Sequence, residues 1–211
     1  MKRGLFLDLD GTLADTLPAL RAVYHEFLAG FGVAGSEAEF QSLNGPALPE
    51  IVRSLRHRHA LPGAEETLYS LYRDGLAAVH SRALPAPGAR GVLERARARG
   101  WTVAVVSSNN GASTRAWLGR TGLGELVSAV VGGDEVERAK PDPQPYRRAL
   151  ALTGCEPGLS LAVEDGAQGA LAALGAGLNT WMLGDATAAA LEGHALFRGC
   201  LPDFQAVARL L

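Results

Sequence analysis

The chain has 211 residues, of which 47% are hydrophobic and 20% charged, with a formal net charge of -2. That length admits one large domain carrying an insertion, or two small ones, and the composition describes a globular protein without long disordered tails. The slight negative balance provides no field to gather a polyanion, so nucleic acid is set aside as a general partner, a small substrate is expected, and monomer and homodimer both stay open.

In chain order, Met1-Lys2-Arg3 begins like a secretion signal, but Asp8 and Asp10 fall where its apolar segment should run. Later apolar runs are broken by Arg or Asp short of the ~20 residues that span a bilayer, so a cytoplasmic protein with no membrane partner is expected. Residues 4–7 read as a short buried parallel strand that delivers polar residues, Asp8-Leu9-Asp10-Gly11-Thr12, at its C-terminal end. From 16 to 84, apolar side chains recur at helical spacing (Leu20, Val23, Phe27 and Leu28, later Leu68, Leu71, Tyr72 and Leu76) with no strand-like run. This predicts a helical insertion, closed by Pro85-Ala86-Pro87-Gly88, whose X-Pro bonds force extended backbone.

Strand-like runs follow at 102–107, 129–131, 159–163 and 179–183, each ending in small or acidic residues, and helical patterns occupy 88–99, 112–120, 143–152 and 167–176. The alternation predicts an α/β protein: a doubly wound parallel sheet built from residues 1–15 and 85–211, with a helical domain, 16–84, inserted. Ligands of such sheets bind beyond the carboxyl ends of the strands, so the polar residues that end the runs should converge. Cys155 and Cys200 have neither CxxC nor Cys/His spacing and read as free thiols, and Trp101, Trp117 and Trp181 read as packing residues.

A carboxylate can attack phosphorus if a cation neutralises the phosphate and a second group manages the proton of the leaving oxygen. Asp8 and Asp10, two apart on extended chain, point the same way, and Gly11 permits a sharp turn close to a ligand; alone, the same string is an Asp-capped turn. Ser107 and Ser108, with Asn109, end the second strand just before a helix, where hydroxyls and backbone N–H groups suit a phosphate oxygen, although small hydroxyls also end strands for ordinary reasons. Lys140, in Ala139-Lys140-Pro141-Asp142-Pro143, precedes a helix whose start is fixed by prolines, and its charge would offset phosphate there; a lone Lys is otherwise a solvated residue. Glu164-Asp165-Gly166 adds a second acidic cluster. Asp8, Asp10, Glu164 and Asp165 around one ion would form an oxygen-only donor set that favours Mg²⁺ beside phosphate, and without an ion they would repel one another. Asn44-Gly45-Pro46 is a turn free to face the site, which makes Asn44 and Gly45 candidates for substrate contact. Arg53, Arg56, His57, Arg58 and His59 read as a solvated basic helix face.

Taken in order, DLDGTLADT at 8–16, Ser107 after VAVV, KPDP at 140–143 and VEDG at 163–166 resemble the haloacid dehalogenase-like hydrolase superfamily over nearly the whole chain. The insertion looks like the small helical cap of its phosphoglycolate phosphatase and β-phosphoglucomutase branch. The resemblance implies Asp8 as nucleophile, Asp10 as general acid for the leaving alcohol and then base for water, and Ser107 and Lys140 on the phosphoryl group. It also implies Mg²⁺ held by Asp8, the Asp10 backbone carbonyl and Asp165, with Glu164 acting on the ion through water. Dehalogenases of the superfamily lack the second Asp, so Asp10 implies phosphoryl transfer. Mutases of the branch resemble one another in a His soon after the first motif and an Arg/Lys pair in the cap. Those places here read Leu17-Pro18-Ala19-Leu20 and Leu43-Asn44-Gly45-Pro46-Ala47-Leu48. Hydrolysis of a small phosphorylated metabolite is therefore expected ahead of phosphomutase chemistry, and ahead of a non-catalytic phosphate-binding protein.

Overall fold

Short strands that are apolar on both faces are stable only inside a sheet covered on both sides. The structure, a computed structural model that describes residues 1–43, 46–184 and 189–211, uses them in that way. Strands β1 (Gly4–Leu7), β2 (Thr102–Val106), β3 (Ala129–Val131), β4 (Leu161–Glu164), β5 (Asn179–Leu183) and β6 (Phe197–Leu201) form one parallel sheet in the order β3-β2-β1-β4-β5-β6. β1 is central, with Leu5 opposite Val103 on one side and Leu161 on the other.

Successive side chains of a strand face opposite ways, and the two faces carry separate cores. Leu5, Leu7, Val103 and Val105 pack with helices α5 (Ala89–Ala98), α6 (Gly111–Arg120) and α9 (Phe204–Leu210). Phe6, Ala104, Val106 and Ala162 pack with α7 (Gln144–Thr153) and α8 (Ala167–Gly175). Each fully buried large apolar side chain contributes about 1.5–3 kcal/mol, and β1 and β2 supply Leu5, Phe6, Leu7, Val103, Val105 and Val106. β6 and α9 have no counterpart among the predicted elements. β6 is an edge strand whose burial alternates, interrupted by the exposed Arg198 and by Gly199, so it offers no continuous apolar run to read. α9 is only seven residues long and is announced by a single cap, Asp203, whose carboxylate accepts from Ala206 N.

Residues 17–82 form α1 (Leu17–Ala29), α2 (Glu37–Ser42), α3 (Leu48–His59) and α4 (Glu65–Arg82), which bury a cluster of their own around Tyr24, Leu28, Val52, Leu55, Leu68 and Tyr72. The chain leaves and rejoins the sheet layer at adjacent positions: Ala14 bridges Pro85, Asp15 N donates to Leu84 O at 3.0 Å and Ala86 N to Leu13 O at 2.9 Å. α6 fastens the end of α4 from the sheet side, because Trp117 Nε1 and Arg120 Nη2 both donate to Ala83 O, at 3.1 and 2.7 Å, and Arg120 Nη2 also donates to His80 O at 3.0 Å. Trp117 is buried as packing, and Trp101 lies under the Arg3 guanidinium. Cys155 and Cys200 are free thiols. Among the described residues no helix is long and apolar enough to cross a membrane.

Most of the basic run of α3 forms the expected solvated face, with Arg53, Arg56, His57 and Arg58 exposed and only His59 half-buried. Arg58 Nη1 and His59 Nε2 reach the buried carboxylate of Glu39, at 3.0 and 2.8 Å, and the Tyr24 hydroxyl donates to it from the other side. Arg53 behaves as expected, in an exposed pair with Glu65. Burial alone would raise the Glu39 pKa, but the bonds from Tyr24 and His59 and the nearby charges of His59 and Arg58 hold it below the ordinary value of 4.5. Such a group stabilises the fold fully above its unfolded pKa, and the contribution disappears as pH falls through the lower folded value. Glu39→Gln is therefore expected to cost about 1–3 kcal/mol at pH 7, read from urea denaturation. The gap from the parent should close below pH 4.5; a gap that widened in acid would contradict this assignment.

Candidate active site

β1 and β4 are neighbours on which the chain departs in opposite directions across the sheet, the point where a crevice opens beyond the strand ends. The residues that follow β1, β2, β3 and β4 meet there. Asp8 N donates to Val163 O at 3.1 Å and Ser107 N to Val131 O at 2.9 Å, so both residues continue their strands' ladders while their side chains enter the crevice. Asp8, Asp10, Ser107, Ser108, Lys140, Glu164 and Asp165 all line one cavity. Asn44 and Gly45 lie outside the described residues, although their neighbours Leu43 and Pro46 line the same cavity.

Lys140 is 3% exposed and is the centre of the site. Its Nζ donates to Asp8 Oδ1 and Glu164 Oε1, both at 2.6 Å, and to Val106 O at 3.0 Å, so its three donors are spread over β1, β4 and β2. The Tyr146 hydroxyl, from α7, donates to the same Glu164 oxygen. Asp8, Glu164 and Asp165 offer carboxylate oxygens that lie within 4.8 Å of one another, and all three residues are buried. Three carboxylates thus face one ammonium. Burial would lower the Lys140 pKa, but Asp8 and Glu164 hold it above the usual lysine value. Burial pushes Glu164 up to about 8 and raises Asp8 as well, with Lys140 offsetting part of both shifts. A buried cluster of hard oxygen donors fits a divalent cation of the Mg²⁺ kind, whose charge would offset the cost of ionising them.

The Asp10 carboxylate is not in that cluster. Its Oδ1 lies 2.8 Å from His80 Nε2, and its Oδ2 accepts from the Asn109 amide. The two nitrogens themselves lie 3.0 Å apart. Burial would lower the His80 pKa, but the bond to Asp10 and its charge raise it. Sequence reasoning missed this pair of partners. A signal existed for His80: it continues the stripe Leu68, Tyr72, Leu76 at the next helical step, where an apolar residue would be expected. Asn109 belonged to a recognised strand end, but nothing local aims its side chain at Asp10. Tyr146 was equally invisible.

Two glycines make the geometry possible. Gly11 has φ +75°, and a Cβ there would stand 2.2 Å from Asp165 Oδ2, so the turn after Asp10 can pass the fourth strand only without a side chain. A Cβ on Gly169, in the first turn of α8, would stand 2.1 Å from Glu164 Oε2. Ala is favoured over Gly in a helix by about 0.8–1 kcal/mol, whereas overpacking costs about 1–3 kcal/mol. Gly169→Ala is accordingly expected to lower stability by up to about 2 kcal/mol in thermal or urea unfolding; a stabilised variant would show that Glu164 has room to move.

A family model described as haloacid dehalogenase-like hydrolase matches residues 5–183. A phosphoglycolate phosphatase of Cereibacter sphaeroides (strain ATCC 17029 / ATH 2.4.9) is 33% identical over 156 residues, 70% of either chain. Among solved structures, CbbY from Rhodobacter sphaeroides in complex with phosphate superposes with a TM-score of 0.77 at 24% identity, covering 97% of this chain and 95% of the other. A β-phosphoglucomutase from Clostridium difficile reaches 0.82 at 14% identity, covering 97% and 92%. These two likenesses concern the fold, whereas the family match spans the strands and loops that carry Asp8, Asp10, Ser107, Lys140, Glu164 and Asp165. The chain belongs to the haloacid dehalogenase-like hydrolase family.

Proposed function

We propose that this protein is a Mg²⁺-dependent phosphatase of small phosphorylated metabolites that works through an aspartyl-phosphate on Asp8. The observation that carries the reading is the pairing of two differently held carboxylates: Asp8 on the Lys140 ammonium within an oxygen cluster, and Asp10 two residues on, held by His80 and Asn109. The similarity to a phosphoglycolate phosphatase supports phosphate-ester hydrolysis in general.

In this reading Lys140 orients the Asp8 carboxylate and places positive charge beside the phosphoryl group, with Ser107 and Ser108 donating to its oxygens. Asp8, Asp165 and the Asp10 carbonyl would hold Mg²⁺, with Glu164 behind them, and the bound ion would offset phosphate charge. An Asp8 oxygen forms a bond to phosphorus as the ester P–O bond breaks, and Asp10 gives the leaving oxygen a proton. Asp10 then takes a proton from water as the water attacks phosphorus, which frees Asp8 and inorganic phosphate. Residues 16–84 act as a cap that excludes bulk water, and His80 is the part of the cap that positions Asp10. Hydrolysis is favoured over mutase chemistry because, among the described residues, the four helices bring no Lys or Arg to the cavity.

Asp8→Asn should lower Mg²⁺-dependent hydrolysis of p-nitrophenyl phosphate by about 10³-fold or more with an unchanged circular dichroism spectrum; retained turnover would remove Asp8 from the mechanism. His80→Leu should lower kcat roughly 10–100-fold with little change in KM, since it displaces Asp10 without touching the phosphoryl site. His80→Gln, which keeps a donor, should recover part of the loss. A rise in KM alone would assign His80 to substrate binding instead.

A further inference from the structure

We propose that the phosphate ester this site accepts has a small, uncharged, apolar leaving alcohol, and that a carboxylate-bearing ester such as 2-phosphoglycolate is a poor substrate. The inference rests on the phosphatase reading and specifies the half of the substrate that the reading leaves open.

The cavity, of about 100 Å³, has two chemically distinct halves. Its floor is the polar cluster at the strand ends. Its roof comes from the helical insertion and consists of Leu20, Phe40, Leu43, Ile51, Tyr72 and Leu76, with Pro46 beside them. A phosphoryl group seated against Asp8 and Lys140 must therefore send its ester substituent toward the roof. The cationic side chains lining the cavity are Lys140 and His80, and both are engaged: Lys140 with Asp8 and Glu164, His80 with Asp10. Asn44, Gly45, Asp185, Ala186, Thr187 and Ala188, outside the described residues, include no cation. Arg58 and His59, the basic groups of α3 that could have served an anion, are paired with Glu39.

A second anionic group on the substrate would lose its hydration against aliphatic and aromatic carbon and gain no cation in exchange, which is the most unfavourable form of burial. A hydrocarbon substituent of the same length loses nothing and gains contact with Leu20, Ile51 and Leu76.

The test compares kcat/KM of the full chain, with Mg²⁺, on n-propyl phosphate and 2-phosphoglycolate, which have substituents of similar length, with p-nitrophenyl phosphate as the control for phosphatase activity. We expect n-propyl phosphate to be favoured by on the order of tenfold or more. Leu76→Arg, checked for fold by circular dichroism, should narrow or reverse that preference by supplying the missing cation. Equal or better turnover of 2-phosphoglycolate by the parent, or turnover of p-nitrophenyl phosphate with neither alkyl ester accepted, overturns the inference and leaves the phosphatase reading standing. No phosphate release from any of the three esters would remove both.

Discussion

One ammonium organises this molecule's active end. Lys140 is almost completely buried, and an isolated buried lysine would lose its proton or unfold the region around it. It remains charged because Asp8 and Glu164 stand at 2.6 Å and Val106 O at 3.0 Å. The dependence runs the other way as well, since two buried carboxylates from adjacent strands could not share this space without a cation between them. The ends of β1, β2 and β4 are thus tied at one point, and the positions of Tyr146 and Gly169 follow from the need to seat Glu164 there.

Asp165 adds a third buried carboxylate beside Asp8 and Glu164. A fold maximising its own stability would have little reason to bury a third carboxylate beside two others. A cluster of oxygen donors fitted to a divalent cation would. Asp10, by contrast, is held apart from this cluster by neutral and weakly basic donors, so two carboxylates two residues apart occupy different electrostatic environments. Such separation is the physical basis for giving neighbouring acids different roles.

The insertion reaches Asp10 through His80 and covers the cavity with an apolar roof. Arg120 and Trp117 hold the end of α4 that carries His80 against the sheet layer, and Ala14 and Pro85 keep the two connecting segments side by side. Movement of the four helices relative to the sheet would therefore change the surroundings of Asp10 directly. The same helices supply the cavity's apolar roof, so the contact to Asp10 and the polarity of that roof arise from one element.

The sequence by itself determined the alternation of strands and helices, the helical insertion, and the candidates Asp8, Asp10, Ser107, Lys140, Glu164 and Asp165. These were legible because a buried parallel strand must end where polar residues begin, so each local pattern marks its own place at the same edge of the sheet. Edge strand β6 and helix α9 escaped because alternating burial and a seven-residue helix leave no sustained periodicity. Tertiary structure alone decided which side chains touch: that Lys140 joins Asp8 to Glu164, that His80 reaches Asp10 across 70 positions of chain, and that His59 and the exposed Arg58 both reach Glu39. Local pattern fixes which face of an element is apolar, but a contact between distant polar groups depends on the relative placement of whole elements, which no local window of residues contains.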